Sequence, residues 1–242
     1  MKKDDVIIAW FSCGATSAVA TKLAIDWYDN VEAFYIDTGG EHPDNKRFLE
    51  DCQKWFGREI HVRKSHVYST PMEVFRKTRF LNGPSGARCT LELKRKVRWE
   101  IEDEMKSWKS QVFGFDISEV HRFTRFRQQY PKAKPIAPLI SKELDKPSCL
   151  AILQREGIEI PAMYRLGFHN NNCIGCVKGG KGYWCAIRKN FPEVFKRMAE
   201  LEREIGHSCI NGCFLDELGE CNLPPIVPSC SIFCDPDFLD VA

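Results

Sequence analysis

Cysteines are the residues of this chain whose number and spacing most clearly point to chemistry. There are 12 in 242 residues, and most of them lie between Cys173 and Cys234. Cys173 and Cys176 are separated by only two residues, and Gly175 relaxes the backbone between them, so one turn can direct both thiolates at one metal. Clustered thiols in a reducing compartment bind metal or do redox chemistry more often than they form disulfides. This spacing leaves an iron–sulfur cluster, a zinc site and buried structural thiols as interpretations.

Two basic runs are the other candidates for chemistry, because they stand out in a chain whose net charge is only +2. The run at residues 94–98 is predicted to lie on a helix, where basic side chains often form just a solvated face. The run at residues 121–127 interleaves cations with aromatics, which suits sulfate, phosphate or the bases of a single nucleic-acid strand. Arg122 and Arg125 are expected to share a helix face.

The elements that must position these residues alternate between strand and helix. Short apolar runs predict strands at Val6–Phe11, Val31–Ile36, Ile60–Val62 and Gln111–Phe115. The alternation predicts an α/β fold, with a parallel, Rossmann-like sheet in a domain over residues 1–140. Residues 141–242 are predicted to form a cysteine-rich extension that is helical and irregular. Because ligands of parallel sheets bind beyond the carboxyl ends of the strands, the turns that follow the strands are the candidate sites.

The turn at residues 12–17 joins the first predicted strand to the first predicted helix. Its backbone N–H groups and the helix dipole suit a phosphate. A glycine-containing connection is equally an ordinary way to join a strand to a helix, and the Gly-Lys-Ser/Thr of a Walker loop is not present here. Taken alone, the turn does not decide between a phosphate site and a plain connection.

Several segments together resemble the phosphoadenosine phosphosulfate (PAPS) reductase family of the adenine nucleotide α-hydrolase-like superfamily. They are Ile36-Asp-Thr-Gly39 with Glu41-His-Pro43, the segment 88–94 around Cys89, the segment 114–122, and Cys173–Cys176, in the family's order. The turn at 12–17 is similar to the family's modified pyrophosphate loop, with Cys13 in place of a glycine and Thr16 in place of an aspartate. Residues 161–182 resemble versions of the family that bacteriophages carry.

The resemblance implies that the chain binds an adenine nucleotide, which is adenosine 5′-phosphosulfate (APS), PAPS or ATP. The residues that it assigns to this role are Ser12, Cys13, Gly14, Ala15, Thr16, Ser17, Asp37, Thr38, Gly39 and Gly114. Lys94 and Arg122 are expected to hold the sulfate end. Cys221 is the candidate nucleophile, because Glu220-Cys221 matches the start of the family's C-terminal Glu-Cys-Gly-x-His segment. The Gly and His are not present here, so a structural thiol is the alternative.

The resemblance also implies a [4Fe–4S] cluster, because iron–sulfur members of the family take ligands from an early cysteine pair and a late Cys-x-x-Cys. The predicted ligands are Cys89, Cys173, Cys176 and Cys185, with Cys230 and Cys234 as alternatives for the fourth. The fourth ligand is open because Arg88 stands where the family has a second early cysteine. Zinc is the alternative metal. For the tail cysteines, a zinc site of their own, the fourth cluster ligand and inert thiols remain the alternatives.

Three functions follow as hypotheses. The first is reduction of a sulfonucleotide to sulfite with a thiol reductant as partner. The second is a sulfur transferase that activates its acceptor with ATP and thiolates DNA or tRNA, with a sulfur donor protein as partner. The third is a non-catalytic nucleotide-binding protein. The sequence shows no signal peptide and no membrane-spanning run, which predicts a cytoplasmic protein without a membrane partner.

Overall fold

The computed structural model describes residues 6–84 and 86–220, and its central feature is a five-stranded sheet. The strands are β1 (Ile7–Phe11), β2 (Val31–Ile36), β3 (Ile60–Arg63), β4 (Ser110–Val112) and β5 (Pro135–Ile136). Their order is β3-β2-β1-β4-β5, and every neighbouring pair is parallel. β1 is buried along its whole length, as a central strand of a parallel sheet should be. The predicted α/β fold is therefore confirmed.

Helices connect the strands and make up most of the C-terminal part. The α-helical segments are α1 (Ala15–Trp27), α2 (Asn45–Phe56), α3 (Pro71–Thr78), α4 (Arg88–Thr90), α5 (Lys96–Met105), α6 (Val120–Gln129), α7 (Pro138–Ser141), α8 (Lys146–Arg155), α9 (Ala162–Arg165), α10 (Lys181–Asn190) and α11 (Pro192–Ile205). A π-helical turn, Leu91–Arg95, joins α4 to α5, and 3₁₀ turns lie at Ile117–Glu119, Pro131–Ala133 and Leu215–Glu217. Across the described residues, none of the helices combines the length and hydropathy that a membrane span requires.

The element bounds agree with the sequence-based predictions where apolar patterning is strong. β2 has the predicted bounds, whereas β4 ends at Val112, three residues earlier than predicted. β5 was not predicted, because two residues are too short to show a periodicity. α1 begins at Ala15, directly after its N-cap residue Gly14.

The contacts divide the described chain into two compact units. The sheet unit comprises residues 6–36, 43–63 and 101–162, and the pocket unit comprises residues 37–42, 64–84, 86–100 and 163–220. This division differs from the predicted boundary at residue 140, because the chain enters the pocket unit after β2 and again after β3. A change of composition marks a boundary along the sequence only. It does not reveal segments that leave a sheet and pack with a distant part of the chain.

Aromatic side chains and one buried amide organise the core of the sheet unit. The ring of Phe11 lies 6.2 Å from that of Tyr35 and 6.1 Å from that of Phe48. The indole N–H of Trp10 donates a hydrogen bond to Gln111 Oε1 at 2.8 Å. This bond satisfies a buried donor and a buried acceptor on adjacent strands, so it fixes the pairing of β1 with β4.

The loop after β4 packs directly on the first turn of α1, also within the sheet unit. A Cβ atom at Gly114 would lie 2.9 Å from the Cα and N atoms of Ser17 and 3.1 Å from the carbonyl carbon of Thr16. Backbone atoms cannot move aside as a flexible side chain can. Glycine is therefore the residue that this close approach accommodates.

A buried carboxylate holds the irregular segment that follows α11 in the pocket unit. Glu202 is 0% exposed and accepts hydrogen bonds from the backbone N–H groups of Cys209 and Leu215, the latter at 2.6 Å. Arg203 pairs with Asp216 on the outside of the same segment. Glu202 therefore supplies hydrogen-bond acceptors that a helix or strand would otherwise provide for the backbone.

We expect Glu202→Ala to lower the free energy of unfolding by about 2–4 kcal/mol, because it leaves two buried N–H groups without acceptors. Urea unfolding followed by circular dichroism measures the change. Glu200→Ala is the matched control, since Glu200 lies exposed on the same helix, and it should change stability by less than about 0.5 kcal/mol. Equal losses in the two variants would contradict the structural role of Glu202.

We expect Gly114→Ala to lower the free energy of unfolding by about 1–3 kcal/mol, because the new methyl group meets the backbone of Ser17. Differential scanning calorimetry measures this loss. Gly219→Ala is the control, because a Cβ atom at Gly219 meets nothing within 4 Å. An unchanged unfolding transition for Gly114→Ala would show that the loop after β4 does not approach the first turn of α1 as described.

Candidate functional site

One hydroxyl holds the turn that was predicted to bind phosphate. Ser17 Oγ accepts hydrogen bonds from the N–H groups of Ser12 at 3.1 Å and Gly14 at 3.3 Å, and it donates to Gly14 O at 2.9 Å. Ser17 is buried, so its side chain shapes the turn from inside. Ser12 is exposed and Thr16 is half-buried, so a ligand can reach these two positions at the start of α1.

Cys13 takes part in this turn through its backbone. Its φ of 57° lies in the left-handed region that favours glycine. This conformation explains why the family that the turn resembles usually has glycine at this position. The Cys13 side chain is fully buried, and its thiol donates to the carbonyl oxygen of Asn45 at 3.7 Å. Ala15 is also fully buried. Both residues therefore support the turn and leave its outer face to their neighbours.

Arg122, a predicted sulfate ligand, lies on α6 in the sheet unit and already has an acidic partner. Its Nη1 donates to Glu119 Oε1, and its guanidinium lies 5.7 Å from the ring centroid of Phe115. Lys146 lies near the same carboxylate, and its pKa is lowered, chiefly by burial. An anion bound by Arg122 would have to compete with Glu119 for the guanidinium.

The segment after β2, predicted to bind the nucleotide, belongs to the pocket unit and forms a tight loop. Asp37 accepts a hydrogen bond from the N–H of Gly39 at 2.8 Å and pairs with Lys64 at 2.7 Å, and this partner raises the pKa of Lys64. Gly39 has a φ of 69°, and a Cβ atom there would lie 2.1 Å from the carbonyl oxygen of Ser69. Glycine is therefore required at this position of the loop.

The carboxylate of Glu41 links this loop to Cys173. It accepts hydrogen bonds from the hydroxyl of Thr38 at 2.7 Å, from the N–H of Thr38 at 3.1 Å and from the N–H of Gly40 at 3.2 Å. The sulfur of Cys173 lies 3.2 Å from Thr38 Oγ1 and 3.5 Å from Glu41 Oε1. A backbone hydrogen bond of 2.8 Å from Ile174 N to Gly40 O completes the contact.

These groups border a cavity of about 260 Å³ that lies wholly within the pocket unit. Its polar and thiol-bearing lining residues are Thr38, Glu41, Thr70, Cys89, Thr90, Lys94, Cys173, Cys176 and Arg197. Most of the remaining lining is apolar, with Met72, Phe75, Leu93, Ile174, Val177, Val194 and Met198. The cavity thus combines three thiols and two cations with walls that are largely apolar.

The third segment of the lining comes from the π-helical turn and the helix before it. Cys89 and Thr90 lie at the end of α4, and Lys94 follows on the π-helical turn. Such turns widen a helix by one residue and recur at functional sites. The side chain of Glu92, only 3% exposed, pairs with Arg88 and Lys96. This pairing anchors the segment that carries Cys89 and Lys94.

The donor set of the cavity suits a soft metal centre. Cys89, Cys173 and Cys176 supply the thiolates that iron–sulfur clusters and zinc prefer. The hydroxyl of Thr90 is buried and has no hydrogen-bond partner within the described part of the chain, although Thr90 lines the cavity. Among the described residues, no three His, Cys, Asp or Glu side chains are grouped closely enough to hold an ion as they stand. The three cysteines fit such a centre because thiolates are its preferred ligands and because all three line the same cavity.

Of the other cysteines, some are buried, one is oxidised, and three lie outside the described residues. Burial raises the pKa of Cys149 to about 12 and that of Cys52 still further, so both thiols stay protonated. Cys185, a predicted ligand, is disulfide-bonded in the structure and could bind metal only after reduction. The predicted nucleophile and the alternative ligands, Cys221, Cys230 and Cys234, lie outside the described residues.

Sequence reasoning brought forward the cysteines and Lys94, and it missed Glu41, Thr90, Arg197 and Tyr183 as parts of the site. The acidic residue after Asp-Thr-Gly-Gly was a usable signal for Glu41. Thr90 follows the predicted ligand Cys89 directly, but its orphaned hydroxyl is visible only in three dimensions. Arg197 reads as one more cation on the exposed face of α11, since nothing local distinguishes it.

Comparisons with known proteins agree with this description. Residues 6–83 match the model of the phosphoadenosine phosphosulfate reductase domain. A search of curated proteins gives no match. Among solved structures, PAPS reductase from Candida auris in its phosphate complex matches at a TM-score of 0.51 and 13% identity, over 69% of this chain and 80% of that one. At this identity the likeness concerns the fold.

A second solved structure, the U34-tRNA thiolase NcsA from Methanococcus maripaludis with its [4Fe–4S] cluster, matches at a TM-score of 0.40 and 14% identity. The match spans 100% of this chain and 83% of the thiolase. A TM-score this low supports no argument about this protein. The domain match over residues 6–83 and the shared α/β fold confirm the resemblance drawn from the motifs: this part of the chain is similar to the phosphoadenosine phosphosulfate reductase domain.

Proposed function

We propose that this protein is an enzyme that binds an adenylyl nucleotide and performs thiol chemistry on its sulfur, in the manner of a sulfonucleotide reductase. The observation that carries the proposal is the cavity of the pocket unit. There Cys89, Cys173 and Cys176 lie with Thr38 and Gly39 of the Asp-Thr-Gly segment, although the sequence separates them widely. A structural role for the thiols alone would not require cations in the same cavity.

Each unit, taken by itself, carries groups that suit an anionic ligand. The backbone of residues 12–17 and the amino end of α1 suit a phosphate, because N–H groups and the helix dipole attract anions. Lys94 and Arg197 line the cavity and suit a sulfate or phosphate group. Thr90 could give its unpartnered hydroxyl to an oxygen or sulfur of the ligand.

The reaction begins when a cysteine thiolate attacks the sulfur of the sulfonucleotide. A sulfur–sulfur bond forms, the bond from sulfur to the phosphate oxygen breaks, and the nucleoside phosphate leaves with the bonding electrons. A dithiol, either a protein or a small molecule, then attacks the cysteine sulfur of this S-sulfocysteine and releases sulfite. The dithiol is oxidised to a disulfide and the cysteine is returned as a thiol. Cys221 remains the proposed nucleophile.

Cys89, Cys173 and Cys176 are the residues that would hold a [4Fe–4S] cluster. Such a cluster would supply an iron to which sulfur can bind, next to the cations of the cavity. The residues around it do the rest: apolar side chains form much of the cavity wall, and Thr38 and Glu41 orient the sulfur of Cys173. The cavity walls are thus suited to a reactive sulfur species.

A second candidate is a sulfur transferase that activates a nucleic acid with ATP. Three thiols in one cavity favour it as much as they favour reduction. The sequence after Glu220-Cys221 also lacks the Gly and His of the reductase segment. The two candidates differ in their products, which are sulfite and a nucleoside phosphate in one case and pyrophosphate and thiolated nucleic acid in the other.

We expect the full chain, purified without oxygen, to release sulfite from APS or PAPS in the presence of dithiothreitol. Cys173→Ser should reduce the rate by about 100-fold or more, because it removes a thiol of the cavity. Cys213→Ser is the matched control, since Cys213 is a half-buried free thiol of the same unit and does not line this cavity. Sulfite production is measured directly.

Other products would redirect the proposal. Pyrophosphate release from ATP that depends on added tRNA or DNA, with no sulfite, would favour the transferase. Tight binding of a nucleotide without any turnover would overturn both enzymatic assignments and leave a nucleotide-binding protein.

We expect about four irons and four sulfides per chain after anaerobic purification, with a broad absorbance near 400 nm. Cys89→Ser, Cys173→Ser and Cys176→Ser should each lower the iron content strongly, whereas Cys213→Ser should retain it. Elemental analysis and the optical spectrum check this expectation. Stoichiometric zinc without iron would replace the cluster with a structural zinc site.

A further inference from the structure

We propose that Tyr183 is the positioning residue for the two thiols of the Cys173–Cys176 turn. By fixing the backbone of this turn, the Tyr183 hydroxyl decides where the two sulfur atoms point. The inference rests on the proposed function only for the use to which the thiols are put, and its test needs neither nucleotide nor metal.

The hydroxyl of Tyr183 makes three hydrogen bonds with the backbone of this turn. It accepts from the N–H of Gly175 at 2.9 Å and from the N–H of Cys176 at 2.9 Å, and it donates to the carbonyl oxygen of Cys173 at 2.8 Å. A tyrosine hydroxyl has one proton to donate and two lone pairs to accept with, so its capacity is fully used.

The ring of Tyr183 is fixed in place around that hydroxyl. Tyr183 is 2% exposed, and its ring packs edge-on against Phe168 and Trp184, each at 5.7 Å between centroids. A Cβ atom at Gly179 would lie 1.9 Å from Tyr183 Cδ1, so the backbone of Gly179 lies directly against the ring.

This arrangement decides the environment of the Cys173 sulfur. Two N–H groups of the turn are committed to the tyrosine hydroxyl and are therefore not available to the sulfur. The sulfur lies instead against Thr38 Oγ1 at 3.2 Å and Glu41 Oε1 at 3.5 Å, at the wall of the cavity. Gly175, with a φ of 81°, has the left-handed backbone conformation that lets the turn present its N–H groups to one acceptor.

Removal of the hydroxyl alone tests the inference, because Tyr183→Phe keeps the ring and its packing. The measurement is the rate of alkylation of Cys173 and Cys176 by iodoacetamide, followed by peptide mass spectrometry, in the full chain reduced and treated with a chelator. We expect both rates to rise by about tenfold. The buried thiol of Cys209 in the same unit is the internal reference for general opening, and its rate should stay unchanged.

Two control variants separate positioning from loss of stability. Tyr68→Phe removes the hydroxyl of a half-buried tyrosine elsewhere in the unit and should leave all three rates unchanged. Trp184→Phe creates a cavity beside Tyr183 but keeps the hydroxyl, so it should destabilise the unit without a selective rise at Cys173 and Cys176. Unfolding midpoints of all variants are measured in parallel.

Equal alkylation rates in Tyr183→Phe and the unchanged chain would overturn the inference. So would a rise at Cys209 that parallels the rise at the other two cysteines, or the same selective rise in Trp184→Phe. If Tyr183→Phe does not fold, hydrogen exchange on the unchanged chain tests the inference instead. The amides of Gly175 and Cys176 should then exchange their hydrogens at least 100-fold more slowly than exposed amides. Fast exchange at both amides would also overturn it. None of these results depends on sulfite release, so failure of the proposed function would be recognised separately.

Discussion

The close approach of two backbones, at Gly40 and Ile174, is the constraint on which the cavity depends. The N–H of Ile174 donates to Gly40 O at 2.8 Å, and a Cβ atom at Gly40 would lie 2.8 Å from the ring of Pro71. A larger residue at Gly40 would therefore meet the ring of Pro71, which lines the same cavity. The thiol of Cys173 reaches Thr38 and Glu41 only because this contact is maintained.

In the pocket unit, buried polar side chains provide the backbone of the loops with hydrogen-bond partners. In the sheet unit, strands and helices provide these partners. The sheet unit satisfies its backbone through parallel strand pairs and the helices between them. In the pocket unit, Tyr183 satisfies the turn at Cys173–Cys176, and Glu202 satisfies the segment around Cys209 and Leu215. A buried donor without an acceptor costs about 1–3 kcal/mol, so these residues decide which loop conformations are stable.

The chemistry of the cavity depends on the side chains that surround its thiols. Its thiols are held against apolar side chains, and its cations come from two separate helical segments. Cysteines elsewhere in the described chain are different, because burial holds Cys52 and Cys149 in the protonated, unreactive form. The number of cysteines therefore says less about reactivity than their surroundings do.

The sequence by itself determined the fold class, and its motifs named several of the residues that line the cavity. The strand-and-helix alternation and the Asp-Thr-Gly, Cys89 and Cys-x-x-Cys motifs were sufficient, because apolar periodicity and turn chemistry are local properties of a chain. Tertiary structure alone decided which segments share a unit, why Cys13 acts through its backbone, and that Glu41, Thr90, Arg197 and Tyr183 join the cysteines. These facts depend on contacts between residues far apart in sequence, and no local pattern records which distant backbone group a hydroxyl or carboxylate will meet.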